Sequence, residues 1–73
     1  MDEIAAKHPT VISVLRENKG RMDWLSAVGE ISKKHNMTVN WGIQFLEWAQ
    51  KDGVCRKFRS GLYHSVELLF PYK

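Results

Sequence analysis

The chain has one cysteine, two prolines and no apolar run approaching the ~20 residues that a membrane span needs. Cys55 alone cannot close an internal disulfide, which suits a reducing compartment. The three histidines, His8, His35 and His64, and Cys55 stand at no metal-ligand spacing from one another. There is no glycine-rich phosphate loop and no paired-carboxylate arrangement. These absences exclude the usual routes to catalysis, so no catalytic residue, no metal, no cofactor and no small-molecule substrate are expected. The N-terminal stretch MDEIAAKHP is acidic at its start and too polar for a signal peptide. Together with the missing membrane span, this predicts a soluble intracellular, cytoplasmic protein with no membrane partner.

What is present is enough for one small domain. Seventy-three residues bury only about 60% of their unfolded surface on folding. Hydrophobic residues at 44% supply a core, and charged residues at 26% do not reach the excess of a disordered chain. The net charge of +3 is unevenly placed. Residues 1–53 hold seven Lys/Arg and seven Asp/Glu, whereas residues 54–73 hold four Lys/Arg and one Glu. A neutral body therefore carries a basic C-terminal segment. Its natural partner is a polyanion, although Lys and Arg also protect the edge of a solvated hairpin from aggregation.

Helical periodicity marks three segments. Pro9 fits a first helical turn, and Val11, Ile12, Val14 and Leu15 form a stripe, which predicts a helix over Pro9–Asn18 ended by Lys19-Gly20. Asp23 is a good N-cap for a second helix whose buried face is Leu25, Val28, Ile31 and Ser32 or His35. Lys33 and Lys34 favour its last turn. Gly29 either allows another helix to approach closely or marks an irregular start. In the turn His35-Asn36-Met37, Met37 is expected to plug the core. A third helix lies between a cap from Thr38 or Asn40 and a stop at Gly53, with Val39, Ile43, Leu46 and Ala49 or Gln50 inward. Ahead of these, DEIAAK is a weak helical piece or an arm over residues 1–8.

After Gly53 the period changes to that of strands. A two-residue Ser60-Gly61 turn would pair Arg59 with Leu62, Phe58 with Tyr63, Lys57 with His64 and Cys55 with Val66. One face then carries Cys55, Lys57, Arg59, His64 and Val66, and the other carries Arg56 with Phe58 and Tyr63. The tail at 70–73 either covers the core or offers a contact to another molecule.

The stretch ISKKHNMTVNWGIQFLEWAQKDGVCRK resembles the pattern shared by winged helix-turn-helix domains. Ile31 and Ser32 fill the second-helix positions, and Met37 and Thr38 the turn. Leu46, Ala49, Gly53 and Val54 fill the ending that leads into the wing. The resemblance runs from Thr10 to about Leu69. It implies an α+β domain over residues 1–73, with three helices followed by a two-stranded β-hairpin wing, and a DNA-binding protein that regulates transcription. It places the third helix in the major groove and the wing on the backbone or minor groove. Carried over by position, the DNA-binding residues are Thr38, Asn40, Trp41, Gln44, Arg56, Lys57, Arg59 and His64. So few phosphate contacts would leave a monomer weakly bound, and a homodimer is expected on the DNA.

The third helix departs from that pattern. Between Thr38 and Trp48 it has no Lys or Arg, and it has Glu47. Base readout leans heavily on Arg, so Asn40 and Gln44 are thin support. Trp41, Phe45 and Trp48 instead make an aromatic stripe. The stripe is either more core or an interface for another protein, joined by Phe70 and Tyr72 of the tail. Duplex DNA and a protein partner are thus the two expected classes of ligand.

Overall fold

The structure, a computed structural model, describes residues 3–73. Met1 and Asp2, part of the expected arm, lie outside the described residues. The elements run α1 (Glu3–Lys7), α2 (Pro9–Glu17), β1 (Arg21–Asp23), α3 (Trp24–Lys34), α4 (Val39–Lys51), β2 (Cys55–Ser60) and β3 (Tyr63–Leu68). Among the described residues there are four helices and a three-stranded antiparallel sheet, against the expected three helices and two-stranded hairpin.

The fourth helix is α1, the helical alternative for DEIAAK. It is not a free arm, because Ile4 and Ala5 pack against the core and His8 behind them is buried. The added strand is β1. Its three residues pair with β3, Arg21 opposite Glu67, Met22 opposite Val66 and Asp23 opposite Ser65. The sheet order is β1-β3-β2. Three residues are too few to show a period of two, and Asp23 reads first as a cap. It does both jobs: it ends β1, and its Oδ2 accepts from Ser26 N at 3.1 Å to start α3.

The longer helices stop in one way. After α2, Gly20 N donates to Leu15 O and Lys19 N to Arg16 O. After α3, Met37 N donates to Ser32 O and Asn36 N to Lys33 O, and after α4, Val54 N donates to Ala49 O and Gly53 N to Gln50 O. Each pair satisfies two orphan carbonyls and needs a left-handed residue between them. Those residues are Lys19 (φ 65°), Asn36 (φ 53°) and Gly53 (φ 78°). Gly53 and Asn36 suit the conformation, whereas Lys19 adopts it at a steric cost.

The core lies between the helices and one face of the sheet. Leu15 of α2, Val28 and Ile31 of α3, Leu46 of α4, Val54, and Val66 and Leu68 of β3 are nearly or fully inaccessible. Each side chain of that size stabilises by roughly 1.5–3 kcal/mol through burial. Three expected core residues are exposed instead: Leu25 (74%), Val39 (57%) and Met37 (47%). The physical reason is the phase of the helices. Because α3 begins at Trp24, its inward side carries Trp24, Ala27, Val28, Ile31 and Ser32, which turns Leu25 outward. In α4 the inward side is Gly42, Leu46 and Ala49, which leaves Val39 in the open first turn.

The close helix approach is made by Gly42, not Gly29. A Cβ on Gly42 would lie 2.1 Å from Ser32 Oγ and 2.6 Å from Val28 O, whereas a Cβ on Gly29 would meet nothing within 4 Å. Ser32 Oγ is satisfied by donating to Val28 O at 2.7 Å, so the contact is tight and leaves no polar atom unpaired.

The hairpin register also differs. Ser60 pairs with Tyr63, Arg59 with His64, Phe58 with Ser65, Lys57 with Val66, Arg56 with Glu67 and Cys55 with Leu68. The turn is therefore Gly61-Leu62, one residue later than expected, and each pairing partner shifts by two. A shift of two keeps every side chain on its expected face and changes only its neighbours. Arg56 gains an acidic partner, and Phe58 loses Tyr63 as its direct one.

Candidate nucleic-acid interface

The sheet gathers more cations than the hairpin alone. Arg21 of β1, Arg56, Lys57 and Arg59 of β2, and Lys73 of the tail are all exposed. On the face away from the helices, Arg21, Glu67 and Arg56 form one cross-strand row. Arg56 Nε donates to Glu67 Oε1. This hydrogen bond and charge, with Lys73 and Arg21 nearby, hold the Glu67 carboxyl below the usual glutamate range. The Arg21 and Arg56 guanidinium carbons lie 4.6 and 5.0 Å from the centroid of Phe58, which half-buries its ring beneath them.

On the other face, Lys57 extends past the core, and its Nζ sits 4.1 Å from the centroid of Trp24. Its stem helps to cover an indole that is otherwise at the domain edge. Arg59 stands opposite His64, and its Nε donates to Gly61 O at 3.3 Å. Arg56, Lys57, Arg59 and His64 are thus brought together on the hairpin. Arg21 joins them from a three-residue strand that carried no signal of its own, and Lys73, counted in the basic segment, lies near Glu67.

Helix α4 presents Asn40, Gln44 and Glu47 to solvent, with Trp41 (53% exposed) and Trp48 beside them. The Thr38 side chain makes no capping bond. Its backbone oxygen accepts from Trp41 N and Gly42 N, and its hydroxyl is left at the surface. The aromatic stripe divides. Phe45 is half-buried and stacks on His35 with centroids 4.3 Å apart. Trp48 sets its ring against His8 at 4.4 Å and remains 44% exposed. Trp41 is tilted against Phe45 at 6.3 Å. The tail divides as well. Phe70 is 89% exposed, but Tyr72 is a core residue, so its ring offers no surface to a partner. The Tyr72 carbonyl accepts from Arg16 Nε and ties the tail to α2.

Sequence reasoning did not find the contact that closes the domain behind this surface. Buried His8 donates from Nε2 to Asp52 Oδ2 at 2.8 Å, linking the α1–α2 junction to the end of α4. The two residues are far apart in the chain, and each alone looks like an ordinary cap. Cys55 is buried at the start of β2, and burial pushes its thiol up to about 11. It is held as the neutral thiol and behaves as a small hydrophobe. Among the described residues, no group of three His, Cys, Asp or Glu side chains could hold a metal ion, and no helix is long and apolar enough to cross a membrane.

Comparisons of the chain with protein-family models, with curated proteins and with solved structures find no match. Any reading of function therefore stands on the residues of this chain.

Proposed function

We propose that this domain is a winged helix-turn-helix that binds duplex DNA and regulates transcription. The observation that carries the reading is that four exposed cations, Arg21, Arg56, Lys57 and Arg59, stand on the two faces of one sheet, with Lys73 of the tail near Glu67, against Asp23 and Glu67 as the acids of its strands. The order helix, strand, helix, helix, hairpin, with β1 closing the sheet on β3, supports the winged-helix assignment. In this reading α4 is the helix that enters the major groove. The sheet cations supply affinity through phosphates, and Asn40 and Gln44 supply hydrogen bonds to base edges. Without a cation on the exposed face of α4 before Lys51, sequence preference is modest and salt dependence dominates. Two copies on adjacent sites would multiply the contacts.

The test is fluorescence anisotropy of a labelled mixed-sequence duplex at several salt concentrations. Micromolar binding with a log–log salt slope of about −3 is expected. Lys57→Ala with Arg59→Ala should make that slope shallower by about 2, because each phosphate contact contributes close to one. A wild-type protein that fails to bind at low salt would sink the reading.

A second reading has its own observation. Trp41 and Trp48 are half-exposed on α4, Trp41 tilted against Phe45 and Trp48 against His8. Aromatic and Met side chains are enriched at protein interfaces. A protein partner would lose binding with Trp41→Ala and would be indifferent to the Lys57/Arg59 pair.

A further inference from the structure

The hairpin tip carries a combination that the fold does not require. Leu62 is 86% exposed and Tyr63 is 69% exposed, at the end of the most basic element. The turn itself is explained by Gly61, whose φ of 65° fits the first central position of a two-residue hairpin turn. Nothing in the backbone at Leu62 asks for an apolar side chain, and an exposed leucine on a hairpin is an aggregation hazard. Directly behind the apex, Arg59 and His64 face each other across the strands. The bond from Arg59 Nε to Gly61 O holds that guanidinium beside the turn. A shallow groove of about 240 Å³ separates the tip from the start of α3, lined by Trp24, Leu25, Leu62 and Tyr63 among others. Leu62 and Tyr63 form one wall of that groove and remain largely exposed.

We infer that Leu62 is a wedge that enters the minor groove of duplex DNA and opens one base step, with Arg59 and His64 on the flanking phosphates. This deepens the DNA-binding reading and rests on it. Apolar side chains such as Leu are used to part base steps from the minor groove, and the duplex bends away from them. The cost of unstacking is offset when cations beside the wedge reach phosphates that the bend brings closer. A single leucine with one tyrosine suits this task. The pair is too small an apolar surface to hold a membrane, where even a whole acyl chain binds only marginally.

The experiment uses the full chain and a duplex of about 25 base pairs containing TA steps, with donor and acceptor dyes at its ends. Energy transfer reports bending, and anisotropy reports binding. The wild-type protein should raise the transfer efficiency. Leu62→Ser should abolish that rise and weaken binding about tenfold, with an unchanged salt slope because no cation is lost. Leu62 is exposed, so the variant should fold normally. Wild-type binding without bending, or bending that survives in Leu62→Ser, would overturn the wedge and leave the DNA reading standing. Absence of wild-type binding at low salt would overturn both. Co-sedimentation of the wild-type protein, but not Leu62→Ser, with anionic vesicles beside an unbent duplex would assign the tip to a lipid surface and also overturn the wedge.

Discussion

Two regions of this domain differ in what their residues are for. Where α3 meets α4, Gly42 lies against Ser32 and the backbone of Val28, and no side chain could be added without moving a helix. At the far end of the hairpin, Gly61, Leu62 and Tyr63 are exposed, and the strands are held by their pairing and by the bond from Arg59 Nε to Gly61 O. The first region is determined by packing, so its residues are explained once the fold is described. The second has no packing to satisfy. Its leucine and tyrosine are exposed without a packing role, and the proposed wedge rests on them. The same contrast separates the two tryptophans of α4 from Trp24, which is buried and covered by Lys57.

Substitutions can break or sharpen this contrast. The largest effect should come from Gly42→Ala, which overpacks a contact with backbone on one side and should cost about 3 kcal/mol, read as a lower urea midpoint. Gly29→Ala is its counterpart. It faces open space on the same helix pair and should stabilise by about 1 kcal/mol. If the two variants behaved alike, the helix contact would not be where it is described. Next comes Asp52→Ala, which leaves the buried His8 N–H without its acceptor and should cost about 1–3 kcal/mol in the same assay. Leu62→Ser, at the hairpin tip, should change stability by less than about 0.5 kcal/mol.

The smallest effect should be in the pH dependence. The Glu67 carboxyl is held below its ordinary range by Arg56, so it binds a proton more readily in the unfolded chain. Its contribution to stability is fully present above the usual glutamate range and is lost as the pH falls through the lowered folded value. Urea midpoints measured from neutral to acid pH should fall less steeply in Glu67→Gln than in the wild-type protein. Parallel curves would mean that the Arg56–Glu67 pair contributes nothing, which is common for exposed pairs.

Much of the fold was legible along the chain. The α2 stripe, the cap at Asp23 and the stop at Gly53 were all readable, because each signal lies within a few residues of the feature it controls. The hairpin faces were readable too, and they survived an error in the turn because the register moved by two. The partners across the strands were not. Ser60-Gly61 and Gly61-Leu62 are both acceptable turns, and the choice depends on Leu68 reaching the core opposite Cys55. Strand β1 was missed because three residues acquire strand character only from the neighbour they pair with.

For the candidate site, charge distribution marked the basic C-terminal segment, and Arg56, Lys57, Arg59 and His64 were named within it by position in the winged-helix pattern. Arg21 was not marked, and the approach of Arg21 and Lys73 to Glu67 exists only in the folded sheet. The division of the aromatic residues was equally hidden. Nothing in the spacing of Trp41, Phe45 and Trp48 says that His35 covers one ring and His8 packs against another.

By itself the sequence determined where helices begin and end, which segment turns to strands, and where positive charge accumulates. Those properties depend on local conformational preference and on covalent order. The tertiary structure alone decided which glycine allows two helices to touch, which apolar residues are left at the surface, and which charges meet across the sheet. Those properties depend on distances between residues far apart in the chain, and such distances exist only once the core has closed.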